Sequence, residues 1–322
     1  MKIRTTFTLS ILSAALLVIP SVVSAKKRGG GGGGDADAHR RKGIELIDAK
    51  QYAQAIEEFN KEVQAAPDEA GAYRDRGTAY RAAGRAAEAA GDGATSAMRY
   101  TSAITDFSKM IELAPKDANG YIERSQTEEF IHQYDTALSD ASKALELKPN
   151  DPLALKFRGF AYIGLSQWDK AIADFTVAIQ ADPKDPQNYD RRAWANRNLK
   201  NFPAALEDYT AILNADPSSE DALVKRGATY AAMTEYEKAI ADYQAALKLK
   251  PDDYDTVQRM QYAQSQIAAK NAPPPTPTPE PGVAFFTPVK IFVAVVILVV
   301  IAAAVRFFTR GKPEQTSSTR IR

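Results

Sequence analysis

Basic and acidic side chains recur in this chain at a fixed spacing, and they are the residues best placed to do chemistry. Each of six basic residues is followed by an acid, sixteen residues later in five cases and thirty in one. The pairs are Lys42 with Glu58, Arg76 with Asp106, Arg124 with Asp140, Arg158 with Asp174, Arg192 with Asp208, and Arg226 with Asp242. They can form repeated ion pairs or, if the cations are free, a ladder for an anionic ligand. Because every cation has a matching acid, we predict ion pairs, which fix the register of two packed elements more than they add net stability.

Other arrangements that could support catalysis or metal binding are missing from the sequence. His39 and His132 have no metal-ligand spacing with each other or with a carboxylate cluster, and the chain contains no cysteine. The glycine tract at residues 29–34 follows no predicted strand, so it is not a phosphate-binding loop, and no nucleophile elbow or Ser-His-Asp arrangement is evident. We therefore predict that the protein is not an enzyme and binds no cofactor or metal. His39 is expected to pack in a core position.

The elements that position the charged residues repeat every 34 residues. Pro67, Pro115, Pro149, Pro183, Pro217 and Pro251 are 34 residues apart except for the first gap, which is 14 longer. Twelve residues before each proline stands an alanine: Ala55, Ala103, Ala137, Ala171, Ala205 and Ala239. An aromatic residue follows four positions later in all but one case. Two helices that cross closely need a residue without bulk at the contact and a ring to fill the space beside it, and each proline ends the second helix.

The repeats are counted from first residues 36, 70, 118, 152, 186 and 220, omitting the 14 extra residues. Each repeat is then small at position 8, alanine at 20 and proline at 32, and all but the third, which has Ala141, are aromatic at 24. The chain resembles the tetratricopeptide repeat family over residues 36–253. The resemblance implies an all-α, right-handed superhelical solenoid of six helix-turn-helix units, at residues 36–69, 70–117, 118–151, 152–185, 186–219 and 220–253. The third and fifth repeats depart from the family pattern, with Glu128 and Asn196 at the aromatic position 11.

Two further segments belong to the array. The insertion in the second repeat, residues 82–98, is mostly alanine with Gly91, Asp92 and Gly93 near its middle. We expect both helices of that repeat to be longer by about two turns, and a loosely ordered loop is the alternative. Residues 254–270 are predicted to be a capping helix, with Val257 and Met260 in core positions and glutamines on the other side.

The two ends of the chain suggest export and membrane attachment. Residues 1–25 resemble a signal peptide, although the basic residues Lys26 to Arg28 leave an uncleaved anchor as an alternative. A glycine-rich linker (26–35) precedes the repeats, and a proline-rich linker (271–284) follows the capping helix. Residues 285–308 are predicted to be a transmembrane helix (a buried soluble helix is the alternative), and residues 309–322 a basic cytoplasmic tail. That charge distribution places the repeats outside the cytoplasm, in a single-pass membrane protein.

The inner surface of the array is the remaining candidate for a binding site. The net charge of +1 and the lack of a basic block on the repeats argue against a nucleic-acid partner. The family resemblance implies a groove lined by the first helices, and here the candidate residues are Arg74, Arg81, Lys156, Phe160, Ile163, Trp194 and Arg197. Large apolar side chains beside arginines are typical of peptide-binding hot spots, although Phe160 and Trp194 could instead pack between neighbouring first helices.

Together these observations predict a membrane-tethered scaffold that binds protein or peptide partners in the cell envelope. A non-catalytic structural subunit of an envelope enzyme, or of a secretion or assembly complex, is the alternative. No small-molecule substrate is expected.

Overall fold

The computed structural model describes residues 33–272 and 288–309, and every regular element in these ranges is an α-helix. The predicted signal peptide, the linker up to residue 32, the proline-rich segment from residue 273 and the tail from residue 310 lie outside the described residues. The chain divides into two compact units, Met1–Ile267 and Ala268–Arg322.

Twelve helices form six consecutive pairs, and a thirteenth follows them. They are α1 (Gly33–Asp48), α2 (Tyr52–Ala65), α3 (Ala70–Ala89), α4 (Gly93–Leu113), α5 (Ala118–Phe130), α6 (Tyr134–Leu147), α7 (Pro152–Gly164), α8 (Trp168–Ala181), α9 (Pro186–Asn198), α10 (Phe202–Ala215), α11 (Glu220–Ala232), α12 (Tyr236–Leu249) and α13 (Tyr254–Asn271). Each helix packs against the next along the array from α1 to α12. The helical solenoid predicted from the repeat period is confirmed, while its right-handed twist stays a prediction. The first helix begins at Gly33, inside the predicted linker.

Two residues after the first helix of each pair ends, one residue lies in the left-handed region, with φ between 57° and 79°. These residues are Lys50, Gly91, His132, Ser166, Lys200 and Thr234. The amide that follows each of them bonds back to the carbonyl five residues earlier, as from Gln51 to Leu46. This closure satisfies carbonyls at the helix end and reverses the chain into the second helix. His132 therefore serves in a turn, and its Nδ1 lies 2.6 Å from the hydroxyl of Tyr134.

The core of each repeat is the predicted contact between a small residue and a ring. The six alanines at position 20 are all at most 1% exposed. In the fourth repeat, a Cβ atom added to Gly159 would lie 2.8 Å from Phe175, so the ring occupies the space that a larger residue at position 8 would need. The sequence pattern is therefore a steric requirement of the helix crossing.

The insertion in the second repeat forms an ordered, lengthened hairpin. α3 has 20 residues and α4 has 21, whereas the two helices of the fourth repeat have 13 and 14. Gly84 on α3 allows the ring of Tyr100 to approach, since an added Cβ would lie 2.8 Å from it. The side chain of Asp92 caps α4 by accepting a hydrogen bond from the amide of Thr95. These contacts explain why the alanine-rich segment is not a loose loop.

First helices of neighbouring repeats also touch one another, in the pairs α1–α3, α5–α7 and α7–α9. No contact of comparable extent joins successive second helices within the described residues. The first helices therefore lie closer together than the second helices do, and they form what we call the inner face of the array.

The buried residues of α13 differ from those predicted for the capping helix. The fully buried residues are Thr256 and Ala263, whereas Val257 and Met260 are half-buried. Thr256 and Ala263 stand where positions 3 and 10 of a seventh repeat would fall, and position 10 is also fully buried in Ala79, Thr127, Ala161, Ala195 and Thr229. α13 thus continues the register of a first helix, and the residues that face the preceding repeat are the ones it buries.

The second unit contains α14 (Pro288–Thr309). This helix begins three residues after the predicted start at residue 285, and its apolar side chains, such as Phe292, Leu298 and Val299, are exposed. Among the described residues, no helix is both long and apolar enough to cross a membrane. The transmembrane helix predicted at residues 285–308 is therefore not found.

Candidate functional site

The six predicted ion pairs are all present between the first and second helix of each repeat. The nitrogen–oxygen distances are 3.0 Å for Lys42–Glu58, 2.7 Å for Arg76–Asp106, 2.5 Å for Arg124–Asp140, 2.7 Å for Arg158–Asp174, 2.6 Å for Arg192–Asp208 and 2.8 Å for Arg226–Asp242. In the five arginine pairs, two nitrogens of one guanidinium donate to the two oxygens of one carboxylate. These cations are occupied, so the pairs are structural and do not form an anion-binding ladder.

Most of these arginines also join their repeat to the preceding one. The third guanidinium nitrogen of Arg192 lies 3.1 Å from the hydroxyl of Thr176, on the second helix of the repeat before it. Arg76 makes the same link to Asn60 at 3.0 Å. Burial raises the pKa of Asp208, and its hydrogen bond and charge interaction with Arg192 oppose that rise. The arginine therefore compensates a buried acid and fixes the stacking of two repeats at once.

His39 does not have the packing role expected of it. Its Nδ1 lies 2.7 Å from Oε2 of Glu58, and the ring is only half-buried. That hydrogen bond, together with those from Lys61 and Lys42, lowers the pKa of Glu58 to about 2. Position 4 of a repeat is bulky or aromatic elsewhere in the array, but in the first repeat it is His39. Because this polar ring lies beside the Glu58 carboxylate, His39 extends the first ion pair.

Three of the four candidate groove cations have partners within the chain. Lys156 is buried, with its Nζ 2.7 Å from Asp185. Arg81 lies 2.6 Å from Glu123, on the next first helix. Arg74 is exposed and lies 3.0 Å from the neighbouring Asp75. A ligand carboxylate would have to displace an existing partner at each of these positions, which the sequence could not reveal.

Phe160 and Ile163 are packed against other apolar residues. The Phe160 ring lies 5.9 Å from that of Phe157 and 5.5 Å from that of Phe175, and the Arg191 guanidinium is 5.4 Å from its centre. Ile163 belongs to the cluster around Phe175. Phe160 therefore packs against neighbouring side chains, which is the alternative that the sequence left open.

Trp194 and Arg197 border open space. Trp194 is half-buried and meets the ring of Trp168 edge to face, with centroids 5.0 Å apart. A cavity of about 180 Å³ is lined by Trp194, Arg197, Asn198 and Phe202. The Nε atom of Arg197 is buried and has no hydrogen-bond partner in the described part of the chain. The guanidinium also lies beside the buried hydroxyl of Tyr209, where it opposes the rise in the pKa of Tyr209 that burial causes. Of the seven candidate residues, Trp194 and Arg197 are the two that line this cavity.

The sequence analysis missed a ladder of aromatic rings at position 17, three residues before the alanine of each repeat. Its members are Tyr52, Tyr100, Tyr134, Trp168, Phe202 and Tyr236. Several contact the first helix of the next repeat: Tyr100 stacks on Phe130 at 5.1 Å, and Tyr236 meets Tyr262 at 6.5 Å. We call these six residues the aromatic ladder. Their common register was readable from the sequence, but their partners on the next helix were not.

Buried carboxyl groups were also missed. Glu62 is fully buried on α2, and Nε of Arg40 lies 2.8 Å from both Glu62 and Asp75. Burial, and then the charge of Asp75, raise the pKa of Glu62 to about 7. On the inner face, burial raises the pKa of Glu129 to about 7, against the opposing charges of Arg191 and Lys156. No cluster of side chains with metal-ligand character occurs in residues 33–272 or 288–309.

Comparison with known proteins gives sequence matches to repeat profiles. One profile described as tetratricopeptide repeat matches residues 220–253, and another matches residues 40–97 and 128–186. No curated protein sequence matches the chain significantly.

Several solved structures are similar in fold. Pseudomonas aeruginosa pilF is 13% identical, with a TM-score of 0.58, and the match covers 74% of this chain and all of that one. The APC/C hetero-tetramer Cut9-Hcn1 gives 16% identity and a TM-score of 0.57 over 71% of this chain, which spans only 43% of the matched chain. The first TPR of Spaghetti (RPAP3), bound to the HSP90 peptide SRMEEVD, is 30% identical over 36% of this chain and 93% of its own, with a TM-score of 0.35. The first two similarities show the fold alone.

Proposed function

The chain contains tetratricopeptide repeats, and we propose that its array is a non-catalytic scaffold that binds protein or peptide partners on the inner face. Such repeats typically bind proteins or peptides, and the Spaghetti repeat is a structure with a bound peptide. The six ion pairs within the repeats hold the helices in register. A rigid, preorganised surface of this kind loses little entropy when it binds.

The observation that carries this proposal is the open position of Trp194 and Arg197 beside a cavity. Other candidate residues of the inner face are packed or paired with acids, whereas Trp194 and Arg197 line the cavity, and Arg197 has no acidic partner among the described residues. Tryptophan and arginine are the residue types most enriched among binding hot spots. At this place a partner could bind without first breaking an ion pair within the chain.

The test pairs partner identification with a matched set of variants. Crosslinking in intact cells identifies the partner, and its affinity is then titrated against the purified chain. Trp194→Ala should weaken binding by about 2 kcal/mol or more, while Val177→Ala, at an exposed position of the second helix α8, should leave binding unchanged. Equal affinities for both variants would contradict the proposal. Copurification of the partner at a fixed ratio through detergent extraction would instead support a structural subunit of a larger complex.

We also propose that the protein is attached to a membrane by a single helix, with the repeats outside the cytoplasm and the C-terminus inside. Exposed apolar side chains on α14 support attachment, because such a surface is costly to leave in water. In the sequence, Phe285, Phe286, Phe307 and Phe308 extend the apolar segment at both ends. Protease added to spheroplasts should digest the repeats and spare a tag after Arg322. Digestion of the tag with protection of the repeats would contradict this orientation.

A further inference from the structure

The cavity beside Phe202 marks a gap in the aromatic ladder. We call the space lined by Trp194, Arg197, Asn198 and Phe202 the Phe202 cleft. In the repeat before it, Trp168 meets Trp194, and in the repeat after it, Tyr236 meets Tyr262. In both contacts the second ring stands 26 residues after the first, at position 9 of the next first helix.

The same register places Ala228 opposite Phe202. A methyl group stands where the neighbouring repeats have an indole or a phenol ring. Ala231 and Ala232, on the same helix, are also small. Phe202 therefore lacks, among the described residues, the ring contact with the next first helix that Trp168 and Tyr236 make. The cavity beside it is lined by residues of α9 and the start of α10.

The size and walls of the Phe202 cleft suit an aromatic side chain. Its volume is about 180 Å³, and a protein cavity of roughly 150 Å³ is large enough to hold benzene. Trp194 and Phe202 offer two ring surfaces, and aromatic rings prefer edge-to-face or offset contacts of the kind Trp168 already makes with Trp194. An aromatic side chain of a ligand would contact Phe202 as the position-9 rings Trp194 and Tyr262 contact Trp168 and Tyr236.

The charge beside the cleft favours an acidic ligand. Arg197 makes no ion pair with an acid among the described residues, and its guanidinium lies beside the buried hydroxyl of Tyr209. The nearby acids Asp190 and Asp221 are both 2.7 Å from Lys225, so they are already compensated. Arg197 and Arg259 both act on Tyr243, where their positive charges oppose the rise in its pKa caused by burial. Two arginines thus lie near this end of the inner face, and arginine binds carboxylates with paired hydrogen bonds.

We propose that the Phe202 cleft binds an aromatic side chain of a peptide segment whose adjacent residue carries a carboxylate, with the ring against Trp194 and Phe202 and the carboxylate on Arg197. This inference rests on the proposed function, because it specifies the ligand of the same inner face.

Intrinsic fluorescence gives a direct test, because the chain has two tryptophans, Trp168 and Trp194, and they are in contact at this site. The full chain is titrated with acetyl-Gly-Ser-Phe-Asp-Gly-Ser-amide and with two control peptides, one with alanine for phenylalanine and one with asparagine for aspartate. The first peptide should change the tryptophan emission in the millimolar range or below. Each control peptide should bind about tenfold more weakly. Equal binding of all three peptides, or no change with any, would overturn the inference.

Three variants locate the binding. Ala228→Phe should fill the cleft and abolish the response, while Thr78→Phe, which places the same ring at the same repeat position on α3, should leave it intact. Arg197→Met should reduce the preference for the aspartate peptide over the asparagine peptide to nearly one. Thermal melts establish that each variant is folded. If folded Ala228→Phe still binds the first peptide with unchanged affinity, the peptide site lies elsewhere on the array. That outcome contradicts peptide binding in the Phe202 cleft but does not contradict the proposed scaffold function.

Discussion

Trp168 and Trp194 meet edge to face across the junction of the fourth and fifth repeats, with centroids 5.0 Å apart and ring planes at 79°. One ring begins the second helix α8, and the other lies on the first helix α9. The same contact therefore packs two repeats together and forms one wall of the Phe202 cleft. Stability and recognition depend here on neighbouring atoms, so variants must be compared by melting and by binding.

Removing the acid of a buried ion pair should destabilise the array more than removing an exposed one. Asp208 is 2% exposed, and two nitrogens of Arg192 donate to it. Asp208→Asn should lower the free energy of unfolding by about 1–3 kcal/mol, because Arg192 is left partly buried without its counter-charge. Glu235→Gln, which breaks the exposed pair with Lys238, should cost less than about 1 kcal/mol. Chemical denaturation measures both, and similar small losses would show that the buried pair adds no stability of its own.

A larger residue at the helix crossing should also destabilise the protein. Ala171 is fully buried in the cluster that contains Phe175. Ala171→Leu should cost about 1–3 kcal/mol, because the added atoms have no space without shifting the two helices apart. Ala181→Leu places the same side chain at an exposed position of the same helix and is the control. An unchanged melting temperature for Ala171→Leu would mean that the crossing is loosely packed.

Glu62 should make stability depend on pH. Its pKa in the folded state is raised from 4.5 to about 7, because burial and Asp75 oppose its charged form more than Arg40 favours it. Folding therefore favours the protonated carboxyl, so its contribution is present below about pH 4.5 and is lost as the pH rises through about 7. Glu62→Gln should raise the free energy of unfolding relative to the natural chain at pH 8 by about 1–3 kcal/mol, with a smaller difference at pH 4.5.

Denaturation at the two pH values checks this prediction. Glu57→Gln, an exposed position on the same helix, is the control and should show no such difference. If Glu62→Gln destabilises the protein equally at both pH values, protonation of Glu62 does not govern the stability of the array.

A charge placed at the buried face of α13 should loosen the end of the array. Ala263 is fully buried, whereas Ser265 on the same helix is exposed. Ala263→Glu should lower the melting temperature and promote aggregation, because it forces a carboxylate into an apolar contact and bares the side of the last repeat. Ser265→Glu should melt like the natural chain. If both variants melt alike, α13 does not cap the array.

The helical array and its ion pairs could be predicted because each depends on residues that recur at one period. Ala171 and Phe175 specify the helix crossing by their sizes alone, and Arg192 and Asp208 stand at matching positions of paired helices. The lengthened hairpin followed from an insertion of 14 residues, close to two turns for each helix. These are local or strictly periodic relationships, and sequence spacing expresses them directly.

The candidate site was harder to predict because it depends on contacts between different repeats. Nothing in the sequence around Lys156 indicates that Asp185 would occupy its charge, and Glu123 has the same effect on Arg81. The Phe202 cleft lies beside a ring whose counterpart at position 9 of the next repeat is the small residue Ala228. The register of position 9 was available, but its meaning depended on knowing that Trp168 and Tyr236 contact rings at that position.

Site-specific photocrosslinking tests the central claim, that partners bind on the inner face beside Trp194. A benzoylphenylalanine residue is placed either at Asn198, an exposed residue that lines the Phe202 cleft, or at Val177, exposed on the second helix α8. After irradiation of intact cells, the chain with the probe at residue 198 should form a discrete adduct with a protein partner, and the chain with the probe at residue 177 should not. The Trp194→Ala change should remove that adduct. An adduct formed only from residue 177, or one from residue 198 that persists in Trp194→Ala, would contradict the account.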